Sequence, residues 1–189
     1  MSKQAQAERE RQSRIILGTA VGHLRGEFEA LNVPFEQRGA MTDEYLRAMV
    51  ELWTSSDPCF QGRYVRFENV VFEPKPVQRP RPPFVIGGTG PKRTIPLAAK
   101  WADQWNFPDY TWDLDLFTNR LALLDAECEK IGRDRSSIEV SVQFRYSGDL
   151  AESVDRIRVY EDAGADHVLV SFTPPADPSL PPRLADALR

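Results

Sequence analysis

The stretch FVIGGTGPKRTIPLAAKWADQWNF, residues 84–107, decides the fold of this chain. It begins with an apolar run that ends in two glycines, continues through TGPKRT into the helix-forming segment IPLAAKWA, and closes with the short apolar run DQWNF. Short apolar runs bounded by turn residues predict buried strands. The order strand, helix, strand therefore predicts a right-handed βαβ unit with parallel strands.

The same alternation continues toward the C-terminus. Apolar residues recur at spacings of three and four from Asp113 to Ile131, which predicts one amphipathic helix. Its buried face is predicted to hold Leu114, Phe117, Leu121, Leu124, Cys128 and Ile131. Ile138–Phe144 and His167–Phe172 are predicted to be buried strands, and Asp149–Ala163 a helix that ends at Gly164. A last short helix is predicted in LADALR.

The residues before this alternation contain one more strand and a long insertion. The polar segment SKQAQAERERQ, residues 2–12, predicts a surface helix that leads into a short strand, Arg14–Gly18. Gly22–Pro83 is too long for a plain connection between a strand and a helix. It contains a predicted helix, Thr42–Trp53, with Thr42 as its N-cap, and a predicted hairpin around Gly62.

Composition and charge limit the classes of function. The chain has 189 residues, 41% of them hydrophobic, so we expect a single domain with one core. Its net charge of -4 gives no electrostatic case for binding nucleic acid or an anionic membrane. Two histidines and two widely separated cysteines predict no metal site. The sequence contains no signal-like or membrane-length apolar run, which favours a cytoplasmic location.

Five parallel strands are compatible with two architectures. They can form an open doubly wound sheet, or they can be part of an eight-stranded barrel, and periodicity does not choose between these two. A complete barrel needs about 250 residues, more than this chain contains.

An ordered set of motifs bears on this choice. The segments are GHLRGEFEALNVPFEQRGAMTDEYLRAMVELWT (Gly22–Thr54), FQGRYVRFENVVFEPKPVQRPRPPFVIGG (Phe60–Gly88) and AAKWADQWN (Ala98–Asn106). Together they resemble luciferase-like monooxygenases, and most closely the branch usually assigned to coenzyme F420. The resemblance runs in order over Arg14–Phe172. It implies an α/β fold, a (β/α)8 TIM barrel that is incomplete, with strands four to eight and the insertion at residues 22–83 after strand four.

The resemblance also implies that the chain is N-terminally truncated, because nothing in it matches strands one to three. Three explanations are a start codon assigned too late, a degenerate gene, and a fragment completed by a partner. The first is favoured, because Met1 falls inside the third helix of the family's barrel.

The glycine-rich segment at residues 85–94 is the first candidate site. Glycines at the carboxyl end of a strand let a phosphate approach the backbone, and Pro91 suits the first turn of the following helix. The resemblance implies that this segment binds the cofactor phosphate; the alternative is a glycine turn that only leads into a helix. The predicted cofactor-binding residues here are Gly87, Gly88, Thr89, Lys92 and Arg93.

The loop after the first strand is the second candidate site. The resemblance implies that Ala20, Val21, Gly22 and His23 face the cofactor. His23 is also the candidate catalytic residue, as a proton donor, because the pKa of a free imidazole is near neutrality. The alternative is a loop histidine that only binds backbone carbonyls.

Other residues receive structural interpretations. Trp105 and Phe107 are assigned to the core rather than to a pocket, His167 to a structural role, and Cys59 and Cys128 to packing. The resemblance implies salt bridges that fix the insertion and involve Glu27, Arg38, Asp43 and Glu44.

The implied function is that of an oxidoreductase. The resemblance favours hydride transfer by coenzyme F420 to or from a small organic substrate. An FMN-dependent monooxygenase is the first alternative and a non-catalytic flavin-binding fragment the second. No residue decides between F420 and FMN, since both present a similar ring and a phosphate. A homodimer is compatible with the resemblance, and the activity of the truncated chain is left open.

Overall fold

The computed structural model describes residues 15–189, so the surface helix predicted at residues 2–12 lies outside the described residues. The chain divides into two compact units, Met1–Val85 and Ile86–Arg189. Within residues 15–189, no helix combines the length and the apolar character that crossing a membrane requires.

Strands and helices alternate along most of the described chain. The strands are β1 (Leu17–Thr19), β2 (Phe60–Gln61), β3 (Arg66–Phe67), β4 (Phe84–Gly87), β5 (Gln104–Asp109), β6 (Glu139–Arg145) and β7 (His167–Ser171). The helices are α1 (Arg25–Ala30), α2 (Arg38–Thr54), α3 (Thr94–Trp101), α4 (Leu114–Ile131), α5 (Leu150–Asp162) and α6 (Leu180–Ala187). Short 3-10 turns occur at Phe35–Gln37 and Arg135–Ser137. The predicted α/β class is confirmed.

Five of these strands form one parallel sheet in the order β1-β4-β5-β6-β7. In the second unit, β5 pairs with β6 through Trp105 opposite Val140, and β6 pairs with β7 through Val142 opposite Val168. Neighbouring strands are joined by helices, as the alternating sequence pattern predicts. The carboxyl ends of the strands are the places where loops lead into those helices.

The insertion in the first unit contains the predicted helix and hairpin. Strands β2 and β3 pair antiparallel, with Phe60 opposite Phe67, which confirms the hairpin around Gly62. The helix α2 begins four residues earlier than predicted, and Thr42 lies inside it, where its hydroxyl donates to the Arg38 carbonyl at 2.8 Å. The prediction of Thr42 as N-cap is wrong, because the 3-10 turn leads directly into the helix without a capping side chain.

The hairpin is attached to α2 through one buried carboxylate. Glu44 is 4% exposed, and its carboxylate accepts the backbone N–H groups of Arg63, Tyr64 and Val65 at 3.0, 2.6 and 2.7 Å. A Cβ at Gly62 would overlap this carboxylate, so the glycine in the turn allows the close approach. The observed partners of Glu44 are thus backbone groups of the hairpin.

An aromatic cluster forms the core of the second unit. Trp105, Phe107 and Phe117 are almost fully buried. The Phe117 ring stacks on Trp105 at 6.1 Å and meets Phe107 edge-on at 5.3 Å. The assignment of Trp105 and Phe107 to the core is confirmed. These contacts fix α4 against β5, because Phe117 belongs to the helix and the other two rings to the strand.

The ends of α4 follow local signals in the sequence. Asp113 caps the helix by accepting the Leu116 N–H at 2.8 Å, and Gly132 ends it with a φ of 67°. Ile131 is 53% exposed, so its assignment to the buried face is wrong. As the last helical residue, it lies at the turn that Gly132 makes away from the core.

The strand β7 is less buried than its apolar sequence predicts. Its residues alternate between exposed and half-buried, and Leu169 is 39% exposed. The prediction of a fully buried strand is wrong here. Because β7 is the last strand in the sheet order, it has a neighbouring strand on one edge only among the described residues.

Candidate functional site

A cavity of about 440 Å³ lies in the first unit, at the carboxyl end of β1. Its wall is mainly apolar and comes from the loop after β1, from α1 and from α2. The apolar wall residues include Phe28, Leu31, Val33, Met41, Leu46 and Met49. Arg38 and Glu27 add one cation and one carboxylate. A cavity of this size, mainly apolar with a few polar groups, is typical of small-molecule sites.

Three of the four loop residues that were predicted to face the cofactor line this cavity. They are Ala20, Val21 and Gly22. His23 is exposed, and the cavity wall within the described residues does not include it. The role of His23 as a proton donor therefore stays a prediction.

The shape of this loop depends on a glycine and an arginine. Gly22 has a φ of 80°, and a Cβ there would lie 2.7 Å from the Phe28 ring. Arg38 donates from Nε to the Gly22 carbonyl at 3.2 Å and from a terminal nitrogen to the Phe35 carbonyl at 2.9 Å. Its guanidinium lies 3.8 Å from the centre of the Phe35 ring. The loop after β1 is thus held to the first turn of α2.

The predicted phosphate segment lies in the second unit, between β4 and α3. Gly88 has a φ of 120°, which favours glycine, and its N–H donates to the Asn106 carbonyl at 3.0 Å. Its carbonyl accepts the indole N–H of Trp105 at 3.0 Å. The Thr89 carbonyl accepts the Nε–H of Arg120 at 2.7 Å. The glycine segment is therefore held in place by β5 and α4.

The start of α3 corrects one prediction. The helix begins at Thr94, and Pro91 lies in the turn before it, so its placement in the first helical turn is wrong. The turn is closed by a hydrogen bond of 3.0 Å from the Ile95 N–H to the Gly90 carbonyl. Lys92 and Arg93 are both exposed beside this turn.

Sequence reasoning missed a buried carboxylate at the carboxyl end of β5. Asp109 is buried, and one of its oxygens accepts the N–H groups of Thr111, Trp112 and Asp113 at 3.2, 2.7 and 3.3 Å. Its other oxygen accepts the Tyr160 hydroxyl at 2.7 Å. The only local signal was an aspartate at the end of a strand before a short turn, and it does not identify these partners.

Burial and this hydrogen bond change the titration of the tyrosine. Burial is the main cause that raises the pKa of Tyr160 well beyond its usual range, and the bond to the Asp109 carboxylate adds to it. The Tyr160 hydroxyl therefore stays protonated and donates a hydrogen bond to the Asp109 carboxylate. Trp112 in the same loop has a φ of 60°, and the Arg156 guanidinium lies 4.0 Å from its ring centre.

The remaining residues singled out in the sequence are distributed over both units. His167 is exposed, with its Nδ1 3.2 Å from the Glu139 carboxylate. Cys128 is buried, as its packing role requires, but Cys59 is exposed and that prediction is wrong for it. Asp43 forms an ion pair of 3.3 Å with Arg47, one helical turn away. No group of three or more His, Cys, Asp or Glu residues in the range 15–189 is placed to hold a metal ion.

Comparison with known proteins gives the family. The model of the luciferase-like monooxygenase family matches residues 11–149, which is most of the chain. The chain belongs to the luciferase-like monooxygenase family. Members of this family are oxidoreductases that bind a flavin-type cofactor and small-molecule substrates.

Two curated relatives match part of the chain. An uncharacterised protein of Mycobacterium tuberculosis is 34% identical over 102 residues, which are 54% of this chain and 36% of that protein. The FMNH2-dependent dimethylsulfone monooxygenase of Pseudomonas putida is 32% identical over 97 residues, 50% of this chain and 26% of that protein. The chain thus matches about a third or less of the length of these relatives.

A solved structure shows the fold. The coenzyme F420-dependent tetrahydromethanopterin reductase of Methanopyrus kandleri superimposes with a TM-score of 0.67 at 14% identity. The match covers 85% of this chain and 69% of that one. This likeness confirms the luciferase-like barrel as the architecture to which the five parallel strands belong.

Proposed function

We propose that this chain is the cofactor-binding part of an oxidoreductase that uses coenzyme F420 to transfer a hydride to or from a small organic substrate. The observation that carries the proposal is the cavity at the carboxyl end of β1, because the predicted cofactor loop forms part of its wall. Active sites of barrel enzymes lie at this end of the strands. When bound, the cofactor ring supplies the hydride chemistry, and the protein supplies binding and orientation.

The residues present fit a planar ring. A volume of about 440 Å³ is within the range of small-molecule cavities, and Phe28, Met41 and Leu46 give it apolar surfaces. These side chains exclude water from the ring. Arg38 holds the Gly22 carbonyl, so the backbone of the loop keeps one conformation against the ligand. His23 is proposed as a proton donor at the outer side of this loop.

The glycine segment is proposed to bind the phosphate ester of the cofactor. Gly87, Gly88 and Thr89 end a strand and precede a helix, where backbone N–H groups attract anions. Lys92 and Arg93 add positive charge beside the segment. The protein is also proposed to be cytoplasmic and to form a homodimer.

An FMN-dependent monooxygenase is the second candidate. The relative from Pseudomonas putida, whose name states FMNH2 dependence, is 32% identical over 50% of this chain, whereas the F420-dependent structure is 14% identical over 85% of it. Both cofactors carry a similar ring and a phosphate ester, so the same residues are proposed to bind either one. The absorbance spectrum of the purified chain, freed of unbound cofactor, separates the two candidates, because a bound flavin gives two bands and a bound deazaflavin one near the violet edge.

Substituting Gly22 tests the cavity as the ring site. We expect Gly22→Ala to raise the Kd for the bound cofactor by about tenfold or more, because the new Cβ is strained at a φ of 80° and overlaps the Phe28 ring. The measurement is a fluorescence titration of the purified chain with F420 and, separately, with FMN. Circular dichroism checks that the variant is folded.

The matched control is Gly26→Ala. Gly26 lies in α1, and a Cβ there has open space around it, so this variant should bind as the wild type does. Wild-type affinity in Gly22→Ala would contradict the cavity as the ring site. Binding of neither cofactor by the wild-type chain would refute the proposed function altogether.

A further inference from the structure

We propose that Arg120 is a positioning residue that turns backbone N–H groups of the glycine segment toward the phosphate ester of the cofactor. The inference rests on the proposed function, since it concerns how that cofactor is held. Arg120 lies on α4, 31 residues from the carbonyl that it binds, and was not among the predicted site residues.

Two successive backbone carbonyls of the glycine segment accept hydrogen bonds from side chains of β5 and α4. The Gly88 carbonyl accepts the indole N–H of Trp105 at 3.0 Å, and the Thr89 carbonyl accepts the Nε–H of Arg120 at 2.7 Å. Neither peptide bond is cis, so the C=O and the N–H of each peptide group point in opposite directions. Holding these two carbonyls therefore turns the N–H groups of Thr89 and Gly90 away from Trp105 and Arg120.

The N–H groups of Thr89 and Gly90 belong to the two peptide groups whose carbonyls accept these side-chain hydrogen bonds. The N–H of Gly88 already donates to the Asn106 carbonyl, and the Gly90 carbonyl closes the turn before α3 by accepting the Ile95 N–H. Successive backbone N–H groups that point outward from one turn form a concave site for an anion. Arg120 controls the second of them, because the Thr89 carbonyl and the Gly90 N–H belong to the same peptide group.

Arg120 differs in this respect from the cations named in the sequence. Lys92 and Arg93 are exposed, and their attraction for an anion is screened by water and salt. Arg120 is half-buried and acts through a short hydrogen bond to the segment itself. Its loss would release the Thr89 peptide group, and the Gly90 N–H would no longer have a fixed direction.

Arg133 provides a matched control at the other end of α3. Its guanidinium also donates to backbone carbonyls, those of Ala99 at 3.0 Å and Ala102 at 2.5 Å. These lie at the C-terminal end of α3, while Arg120 acts on the segment before the N-terminal end. Arg133→Ala thus removes a comparable guanidinium contact and leaves the glycine segment intact.

The experiment measures Kd for FMN and for riboflavin, which differ only in the phosphate. F420 and the corresponding deazaflavin alcohol without phosphate form a second pair. We expect Arg120→Ala to raise the Kd for the phosphorylated member about tenfold and to change that for the unphosphorylated member less than about twofold. Arg120→Lys should recover part of the affinity, and Arg133→Ala should keep the wild-type ratio of the two Kd values.

The other outcomes separate this inference from the proposed function. Equal weakening of both members by Arg120→Ala, or a changed ratio in Arg133→Ala, would show a general structural effect and overturn the positioning role. Equal wild-type affinity for both members would also overturn it, while ring binding in the cavity would stand. Binding of no member by the wild-type chain would refute the proposed function itself.

Discussion

Replacing Glu44 with alanine will lower the melting temperature of the chain by roughly 5–10 °C, because three backbone N–H groups of the hairpin lose their acceptor together. Glu44→Gln should also destabilise the chain, since its amide group brings a donor toward these donors. Differential scanning fluorimetry at neutral pH gives the comparison. The control is Glu36→Gln, which alters an exposed ion pair with Arg25 and should leave the melting temperature within about 1 °C.

The stabilisation by the Glu44 carboxylate depends on pH. Burial acts to raise the pKa of Glu44, but hydrogen bonds from Val65, Tyr64 and Arg63 outweigh it and lower the pKa below the usual 4.5. A lowered pKa in the folded state means that the stabilisation is fully present above pH 4.5 and is lost as the pH falls through the lowered value. The difference in melting temperature between wild type and Glu44→Gln should therefore shrink in acid. A constant difference would contradict this account.

Replacing Asp109 with alanine is expected to reduce the free energy of unfolding by about 3 kcal/mol, because four donors lose one buried acceptor. Tyr160→Phe removes only the hydroxyl and should cost about 1–2 kcal/mol. Urea denaturation of both single variants and of the double variant measures the coupling. An additive double variant would show that the hydrogen bond between the two side chains contributes nothing to stability.

The buried Tyr160 makes the stability of the chain depend on pH in the alkaline range. Burial, and then the hydrogen bond to Asp109, raises the pKa of Tyr160 above the ordinary value of 10.0. Its contribution to stability is thus fully present below pH 10 and is lost as the pH rises above that value. Tyr160→Phe should lack this alkaline loss. Tyr110→Phe, at a side chain that is 88% exposed, should keep it.

The elements that were predicted well carry their signals locally. The helix α4 has Asp113 as its cap and Gly132 as its stop, and both lie next to the apolar pattern that they bound. The start of α2 was misplaced because no side chain caps it. The burial of β7 was overestimated because an apolar strand sequence does not tell a central strand from one at the end of the sheet order.

In the candidate site, too, some residues have local sequence signals and others do not. The loop at Ala20–Gly22 and the glycine segment could be proposed from the sequence because both follow apolar strands directly and lie in motifs that resemble the family. The contributions of Asp109 and Arg120 could not, since Tyr160 lies 51 residues from Asp109 and Thr89 lies 31 residues from Arg120. In the sequence, a single aspartate at the end of a strand and a single arginine on a helix look like ordinary surface residues. Their hydrogen-bond partners are distant along the chain and are brought close only by the fold.

Because one of the two cysteines is exposed and the other is buried, the chain can be labelled at a single site. Burial raises the pKa of the Cys128 thiol, so it stays protonated and reacts slowly. Cys59 is exposed and lies directly before β2. A maleimide dye or spin label will attach at the base of the hairpin, and movements of the insertion can be followed spectroscopically without introducing a cysteine.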